Sequence, residues 1–164
     1  MSNEYLSIRN MRVEDATDLQ KNCFVRNTPD EMKDWSVQTL SDPDNKLQLV
    51  ADYNGEVIGS ATLIREQHPL SRHIGSVCAV VVSYHHQRKG IARALIKELE
   101  RAAPGMGITI LTIGCRAGEA SETVYRKLGF IEYSRLPNGI VEPGDGGKTY
   151  DSVELYRSVL ERKA

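Results

Sequence analysis

Apolar and polar residues follow two different periods along this chain, and each change of period marks a boundary between elements. Apolar residues run almost without interruption from Val77 to Val82 and from Ile108 to Ile113. Strands that are buried on both faces of a sheet have this pattern. Between these runs the apolar positions repeat at a helical spacing, at Ile91, Leu95 and Leu99. The pattern predicts a central strand from Ile74 to Val82, then a helix and a second buried strand.

A β-hairpin is predicted before this unit. Apolar residues are enriched from Leu47 to Tyr53 and from Val57 to Arg65, and the two segments flank Asn54-Gly55. That dipeptide favours a two-residue type I′ turn, because both central residues of such a turn need a positive φ angle. The two segments are therefore expected to be neighbouring antiparallel strands.

The N-terminal elements are shorter. Leu6 to Ile8 indicates a first strand, and a helix is expected to open near Glu14-Asp15, where acidic side chains suit a helix N-terminus. A second helix is expected to begin after the break at Asn27 to Asp30. The apolar residues expected along one face of this second helix are Met32, Trp35 and Leu40.

The C-terminal part contains one clear helix. Glu119 to Leu128 has a helical pattern, and Gly129 stands where a left-handed residue often ends a helix. A further strand is expected to start at Phe130, and the glycine- and proline-rich segment from Pro137 to Gly147 is expected to be a loop. Tyr150 to Leu160 fits either a strand or a helix.

The order of these elements predicts the fold class. An antiparallel hairpin precedes a strand–helix–strand–helix–strand unit, which predicts an α+β fold with a mixed sheet flanked by helices. The chain has 164 residues, and a single domain over residues 1–164 is expected, since domains of about 100–200 residues are the norm.

Composition narrows the class of function. The formal net charge is -1, so no excess of basic residues indicates binding to nucleic acid or to a membrane surface. No apolar run reaches the roughly 20 residues of a membrane helix, and the N-terminal residues lack the apolar core of a signal peptide. Cys23, Cys78 and Cys115 have no ligand spacing and indicate free thiols in a reducing compartment. A cytoplasmic protein is expected.

The turn from the central strand into its helix carries the first candidate chemistry. It reads Gln87-Arg88-Lys89-Gly90-Ile91-Ala92. A helix N-terminus leaves several backbone N–H groups without partners and adds partial positive charge, so such a turn can hold a diphosphate. Gly90 allows close approach of the backbone, and Arg88 and Lys89 add positive charge. An ordinary exposed turn can have the same composition, and the hexapeptide alone leaves both interpretations open.

Two other phosphate-binding motifs fit the sequence less well. Gly105-Met106-Gly107 lacks the third glycine of a dinucleotide-binding fingerprint and precedes a strand. Gly147-Lys148-Thr149 has the end of a Walker loop, but Glu142 stands where the first glycine belongs. A carboxylate there would repel phosphate. A nucleotide-binding domain that uses residues 144–149 also requires a helix over residues 150–162.

Two motifs in order give a resemblance to the GNAT family of N-acetyltransferases. The hexapeptide from Gln87 to Ala92 is similar to the family's signature after its central strand. Val124 to Phe130, with its Tyr and its final Gly-Phe, is similar to the family's second motif. The resemblance covers nearly the whole chain and is weakest at residues 22–45 and after residue 137. It implies a twisted central mixed sheet flanked by helices and an acyltransferase with acetyl-CoA as its acetyl donor.

The resemblance also implies which residues bind the cofactor. Backbone N–H groups of the turn would bind the pyrophosphate of acetyl-CoA, and the central strand would lie beside the pantetheine arm. One N–H of this strand would hold the developing oxyanion. As plain core residues, the strand's valines would instead only pack the sheet. The cofactor-binding residues expected are Val80, Val81, Val82, Gln87, Arg88, Lys89, Gly90, Ile91, Ala92, Ser121 and Tyr125.

Tyr125 is the catalytic residue that the resemblance implies. In the family the amine attacks the thioester directly in a ternary complex, and this tyrosine protonates the departing sulfur. A phenol suits the task because a free thiol titrates near about 8.5 and a free tyrosine near about 10, so the phenol stays protonated at neutral pH. The alternative is a half-buried tyrosine that only packs its helix.

Two positions depart from the family's pattern. Gly118 replaces an asparagine that contacts the cofactor, and Ser121, one turn before Tyr125, is the expected substitute. Ser76 replaces a glutamate base that some members carry. The amine must lose a proton before attack, and the route stays open between solvent and water relayed to a side chain. The side-chain candidates are Glu66, His73 and Asp151.

The acceptor is expected to be a primary amine of a small molecule, with a protein or peptide amine as the alternative. By the resemblance, residues 22–35 and 137–149 build its pocket. Because of the two departures, a non-catalytic acyl-CoA sensor is the alternative to an enzyme. A homodimer is expected by analogy with the fold. No metal site is expected, since the neighbouring His85 and His86 point apart and lack a third ligand.

Overall fold

The computed structural model describes residues 5–160, which fold around a seven-stranded sheet. Its strands are β1 (Leu6–Asn10), β2 (Lys46–Tyr53), β3 (Glu56–Arg65), β4 (Ile74–Val82), β5 (Ile110–Arg116), β6 (Ile131–Glu142) and β7 (Lys148–Ser158). The α-helices are α1 (Ala16–Asn22), α2 (Pro29–Leu40), α3 (Ile91–Ala102) and α4 (Ala120–Lys127). The strand order is β1-β2-β3-β4-β5-β7-β6. Within it β4 and β5 are parallel, and the other neighbours are antiparallel, which confirms the mixed sheet.

Two apolar clusters cover opposite faces of this sheet. The larger cluster contains the buried side of α3 and residues of α4, and the smaller cluster contains residues of α1 and α2. Pleating sends successive side chains of a strand to opposite faces, so Ala51 of β2 joins the larger cluster and Val50 joins the smaller one. The predicted helical face is confirmed, because Ile91, Leu95 and Leu99 are all buried.

Local sequence signals produced the expected turns. Asn54 and Gly55 have φ angles of 51° and 88°, which confirms the hairpin turn. Gly129 follows α4 with a φ of 90° and confirms the left-handed cap. Thr28 accepts a hydrogen bond from the Glu31 backbone N–H, and the Glu31 side chain accepts one from the Thr28 N–H, so α2 begins with a capping box.

The predicted apolar face of α2 is wrong at its last residue. Met32 is buried, whereas Leu40 is 43% exposed, because the buried face of α2 runs through Met32, Ser36 and Thr39 and Leu40 lies beside that face. Among the helices of residues 5–160, none has the length and apolar character needed to span a bilayer.

The predicted loop from Pro137 to Gly147 is also wrong over its first half. Strand β6 continues to Glu142, and only residues 143–147 form a turn. Pro137 is tolerated because β6 is an edge strand and its pairing with β7 shifts register between Leu136 and Ile140.

The ambiguous segment from Tyr150 onward is part of strand β7. Its pairing with β5 runs from Ser152 to Ser158. Gly147-Lys148-Thr149 therefore leads into a strand rather than a helix, and the nucleotide-binding alternative is excluded.

Strand β4 lies at the centre of the sheet, as predicted. Its burial is less complete than the apolar sequence indicates. Gly75 and Val77 are buried, but every residue from Cys78 to Val82 is only half-buried. The reason is a gap in the sheet, which forms the site described next.

Candidate active site

The sheet opens between β4 and β5. The two strands pair from Ile74 with Ile110 to Val77 with Ile113, and no pairing continues beyond that point. On the other side, β4 still pairs with β3 up to Val82. The backbone of residues 78–82 therefore has a strand neighbour on one side only, and its other side is open to a ligand.

A bulge in β4 accompanies the opening. Cys78 pairs with Thr62 and Val81 pairs with Ser60, so two residues of β4 oppose Ala61 alone. Ala79 within the bulge has a φ of 50°, which is uncommon for a residue with a Cβ. Bulges bend a strand and re-aim its groups, and this one bends β4 where its neighbour is lost.

The turn after β4 presents unpaired backbone donors. Arg88 and Gly90 have φ angles of 62° and 79°, and Gly90 is the N-cap of α3 without a side-chain hydrogen bond. The first N–H groups of a helix have no partner within it, and within residues 5–160 those of the first turn of α3 have no other backbone partner. The Gln87 side chain donates to the Val82 carbonyl at 3.1 Å and fixes the turn to the end of β4.

A cleft of about 300 Å³ lies beside this turn. Its charged lining residues are basic, Arg88, Arg93 and Lys127, and no acidic side chain lines it. Basic side chains, free N–H groups and a helix N-terminus together suit a diphosphate. The residues present therefore fit the pyrophosphate of acetyl-CoA. The full lining is Val82, His86, Gln87, Arg88, Gly90, Ile91, Ala92, Arg93, Val124, Lys127 and Leu128.

The structure brings most of the expected cofactor residues together. The cleft is lined by Val82, by the hexapeptide except Lys89, and by residues of α4. Lys89 lines a smaller neighbouring cleft of about 180 Å³. Val80 and Val81 lie in the open half of β4. Ser121 and Tyr125 lie on α4 and do not line the cleft.

Sequence reasoning expected Ser121 and Tyr125 of α4 at the cofactor and missed the residues in and after α4 that line this cleft. Val124, Lys127 and Leu128 line it, and their spacing of three and four residues places them on one helical face. Arg93, directly after the hexapeptide, was missed as well. The helical spacing of Val124, Lys127 and Leu128 around Tyr125 was the sequence signal that could have identified them.

Tyr125 packs in the larger cluster and is 7% exposed. Burial, with a smaller effect of the Cys115 charge, raises its pKa to about 12. The phenol is therefore protonated at neutral pH. Within residues 5–160 no group forms a hydrogen bond with its hydroxyl, so the proton is not committed to another acceptor.

The loop before α4 is held by Glu122. Its carboxylate accepts a hydrogen bond of 2.7 Å from the Gly118 N–H and two from Arg126. These bonds, the one from Gly118 first, hold the Glu122 pKa below its usual range. Gly118, which replaces the family's asparagine, has a φ of 81° and serves here as a turn residue.

Two of the expected base candidates lie at the wrong end of β4. The Glu66 N–H bonds the Ile74 carbonyl, and the His73 carbonyl accepts from Thr109, so both residues are next to the start of β4. The opening begins after Val77, which is over 10 Å further along a strand that rises about 3.3 Å per residue. Neither side chain reaches the opening.

Asp151, the third candidate, is near the opening but occupied. Its carboxylate accepts hydrogen bonds from Arg135 at 3.3 Å and from the Asn138 N–H at 3.1 Å. Arg135 pairs in register with Val153, a residue of the larger cluster. Asp151 is two residues before Val153 in β7, so both side chains lie on the face of the sheet that carries Tyr125. Arg135 holds the Asp151 carboxylate on that face.

The remaining candidate groups, His85, His86 and Cys115, have packing roles in the structure. The His86 ring packs against Tyr53 at a tilt, with ring centroids 5.5 Å apart, and the His85 ring packs edge to face with Tyr84, so the two histidines face different neighbours. Burial raises the pKa of the Cys115 thiol to about 11, with Glu122 as a further cause. A thiol of this kind is a poor nucleophile.

Comparison with known proteins agrees with this geometry. The model of the Acetyltransferase (GNAT) family matches residues 7–130, and a search of curated proteins returned no match. Among solved structures, the protein yncA from Salmonella typhimurium, solved with its cofactor acetyl-CoA, is 21% identical with a TM-score of 0.81 over 97% of this chain and 96% of its own.

Two further structures carry different names for their activities. A phosphinothricin acetyltransferase from Sinorhizobium meliloti in complex with acetyl-CoA is 17% identical, with a TM-score of 0.81 over 93% of this chain and 88% of its own. A ribosomal-protein-alanine N-acetyltransferase from Brucella melitensis is 24% identical, with a TM-score of 0.80 over 93% of this chain and 99% of its own. At such identities the likeness concerns the fold. The family match over residues 7–130 shows that this chain belongs to the GNAT family of acetyltransferases, enzymes that take their acetyl group from acetyl-CoA.

Proposed function

We propose that residues 1–164 act as one N-acetyltransferase domain that moves the acetyl group of acetyl-CoA to a primary amine of a small molecule. The amine attacks directly while both substrates are bound. The observation that carries this proposal is the half-open strand β4, which ends on an uncapped helix N-terminus beside a basic cleft.

The backbone supplies most of the binding in this proposal. N–H groups from Gln87 to Ala92 hold the pyrophosphate, with Arg93 and Lys127 adding positive charge. The open edge of Val80 to Val82 pairs with the amides of the pantetheine arm, as a neighbouring strand would. An N–H of the same edge donates to the thioester oxygen and stabilises negative charge that develops there during attack.

Tyr125 protonates the sulfur that leaves. Its pKa of about 12 ensures that the proton is present at neutral pH. A fully formed free thiolate would be the weaker base, since a free thiol titrates near about 8.5. Burial raises the pKa of a thiol as it raises that of a phenol, so shielding the sulfur from water narrows the difference between the two pKa values.

A small acceptor is supported by a contact between the two segments assigned to its pocket. Arg26, between α1 and α2, lies 3.8 Å from the Glu142 carboxylate at the end of β6. The same Arg26 guanidinium approaches Gly144 in the β6–β7 turn. A bridge between these segments narrows access to the acceptor side and favours a small amine over a protein surface.

Calorimetry with acetyl-CoA, followed by thiol release across amines, tests the proposal. The panel contains amino acids, amino-acid-like antibiotics, polyamines and a short peptide. We expect acetyl-CoA binding and thiol release with at least one small amine. Release with the peptide alone would assign a peptide acceptor instead, binding without any release would favour an acyl-CoA sensor, and absence of binding would refute the whole proposal.

We also infer a homodimer that forms through β6. Within residues 5–160 this edge strand has no strand partner on its outer side, and it carries exposed apolar residues, Ile131, Tyr133, Leu136 and Val141, so a second copy of the strand can pair with it. Light scattering should give twice the monomer mass, and Leu136→Glu should shift it to the monomer. Because acetyl-CoA is made and used inside cells, we place the enzyme in the cytoplasm.

A further inference from the structure

The sheet face opposite Tyr125 contains an acidic residue at the point where β4 and β5 separate. The last paired residues are Val77 and Ile113, so Gly114 is the first residue of β5 beyond the ladder. On the other side of β5, Gly114 pairs in register with Glu154 of β7. The carboxylate at this position is therefore next to the opening.

The pleat of β7 sends Glu154 away from Tyr125. Its neighbours Val153 and Leu155 are fully buried in the larger cluster, which also contains Tyr125. Alternate side chains of a strand face opposite sides, so Glu154 points to the other face. Tyr156, two residues further along β7 and on the same side as Glu154, pairs in register with Thr112, which pairs with Ser76 of β4. Ser76 pairs with Ile64, and Ile64 pairs with Lys46 of β2. Val50, four residues after Lys46, lies on the same face and packs against α1 and α2. Glu154 thus lies on the face assigned to the acceptor.

The carboxylate lies directly over the backbone of β5. A Cβ added to Gly114 would be 2.7 Å from Glu154 Oε1 and 3.3 Å from Oε2. The missing side chain of Gly114 is what makes room for the carboxylate in this place. Gly114 does not have a positive φ, so its role here is spatial rather than conformational.

Glu154 differs from the other acidic residues of this region because no cation accompanies it. Glu122, Glu132, Glu142 and Asp151 all form ion pairs with arginines. Within residues 5–160, Glu154 forms neither an ion pair nor a hydrogen bond, although it is half-buried. Partial burial of a charge without a partner is unfavourable, and a cationic ligand would remove this cost.

The groups around Glu154 leave its charge uncompensated. On β6, Tyr133 has its pKa raised by burial and then by the Glu154 charge. On β5, the pKa of Cys115, from the opposite face, is also raised in part by Glu154, and Arg116 is paired with Glu142. On β7, Tyr156 packs edge to face with Tyr133, with ring centroids 5.9 Å apart. The surroundings are thus aromatic, and the one arginine named among them is already paired with Glu142, which suits an ammonium group.

From this geometry we propose that Glu154 binds the ammonium group of the acceptor and takes its proton before attack. The inference rests on the proposed acetyltransferase function. One N–H proton moves to the Glu154 carboxylate, and the freed nitrogen lone pair forms the C–N bond while the C–S bond breaks. The sulfur receives its proton from Tyr125, and the new amide nitrogen gives up its second proton to solvent, from which Tyr125 regains the proton that it donated. The side chain is partly exposed, so Glu154 returns its proton to solvent.

Glu154→Gln tests the chemical role. Acetyl-CoA binding by calorimetry should not change, whereas kcat/KM for the amine should fall about 100-fold, the usual range for loss of a general base. Only the unprotonated amine then reacts, so the variant rate should rise about tenfold per pH unit below the pKa of the amine, more steeply than the wild-type rate. Glu154→Asp should restore part of the activity.

Gly114→Ala tests the position of the carboxylate without changing its charge. The new methyl group would push the carboxylate aside, so kcat/KM should fall about tenfold in the wild-type background. In the Glu154→Gln background the same substitution should have little further effect. Gly105→Ala, at a site with no neighbour within 4 Å, is the matched control and should leave activity unchanged.

The outcomes separate this inference from the function on which it rests. If the wild type acetylates an amine but Glu154→Gln keeps its kcat/KM and pH profile, the inference about Glu154 is wrong and the proposed acetyltransferase function is retained. An equal effect of Gly114→Ala in both backgrounds would also overturn it, since the methyl group would then act by blocking the acceptor. If the wild type neither binds acetyl-CoA nor releases thiol, both proposals fail. Thermal melts of each variant identify any that do not fold.

Discussion

The first half of β4, from Ile74 to Val77, has a strand on each side, whereas the second half, from Cys78 to Val82, has only β3. Both halves are rich in small and β-branched apolar residues. In the first half Gly75 and Val77 are buried, and in the second half every residue is half-buried. Similar side chains are thus part of the core in the first half, whereas in the second half one edge of the backbone stays free. The difference lies in the bulge at Ala79 and in the end of the β5 ladder, and hydropathy does not report either.

The largest effect on function should come from Tyr125→Phe, on the helix beside the open half. We expect kcat to fall about 100-fold or more, because the sulfur loses its proton donor, while acetyl-CoA affinity stays the same. Thiol-release kinetics and calorimetry measure the two quantities. Tyr84→Phe, at a side chain that is 81% exposed, is the control. Unchanged kcat in Tyr125→Phe would remove the acid role and leave only packing.

The same substitution in the two halves compares them directly. Val77→Ala should lower the free energy of unfolding by about 2 kcal/mol, because Val77 is 2% exposed and its loss leaves a cavity. Val81→Ala in the open half should cost about 1 kcal/mol or less. Urea unfolding at neutral pH gives both values. Equal losses would mean that the open half is packed as tightly as the closed one.

Gly90→Ala changes the turn at the end of the open half. A left-handed φ costs a residue with a Cβ about 1 kcal/mol, so stability should fall by that amount and acetyl-CoA affinity about tenfold, or about 1.4 kcal/mol. Gly55→Ala is the matched control, because Gly55 also has a positive φ and no neighbour within 4 Å. It should lose the same stability and no affinity. Equal affinities in the two variants would argue against a diphosphate at Gly90.

Alkaline unfolding should report the burial of Tyr125. Its pKa is about 12 in the folded protein and about 10 for a free tyrosine, so the unfolded chain gives up this proton first as pH rises. The stability that depends on the neutral phenol is complete below about pH 10 and is lost as pH rises toward 12, by about 1 kcal/mol at pH 11. Urea unfolding from pH 9 to 11 should show a shallower decline for Tyr125→Phe. If the stability of the wild type and of the variant declined in parallel, the Tyr125 phenol would be exposed to water in the folded protein.

The smallest effect should come from Ala79→Gly in the bulge. Glycine adopts the observed φ of 50° without strain, but it also gains freedom in the unfolded chain, so we expect a stabilisation of about 0.5 kcal/mol. Asn138→Gly, with a φ of 53°, is the comparison and should gain less, because Asn tolerates this region. A clear loss of stability in Ala79→Gly would show that the Ala79 methyl group has a packing role.

The elements that the sequence predicted correctly depend on nearby residues. The turn at Asn54-Gly55, the cap at Gly129 and the apolar face of α3 follow from the conformational preference of a few neighbouring residues or from a short repeat. The errors concern distant partners. The extension of β6 through Pro137 depends on pairing with β7, and the exposure of Leu40 depends on which side of α2 packs against the sheet.

The residues of the candidate site divide in the same way, into those set by nearby residues and those set by distant partners. The hexapeptide from Gln87 to Ala92 was visible because its donors belong to one turn, and Tyr125 was visible because its motif is continuous. Glu154 was not visible, since it approaches Gly114 only across the β5–β7 pairing and the sequence places them 40 residues apart. Glu66 and His73 were wrong candidates because sequence does not show which end of β4 opens.

By itself the sequence determined the alternation of strands and helices, the turns and the strand-to-helix turn that we propose binds a diphosphate, since each is governed by local conformation and by side-chain period. Only the tertiary structure decided where β4 and β5 separate, which carboxylates are neutralised by arginines and which one stays unpaired on the acceptor side. Those features are set by pairing and packing between distant segments, whose relative placement is a property of the folded sheet.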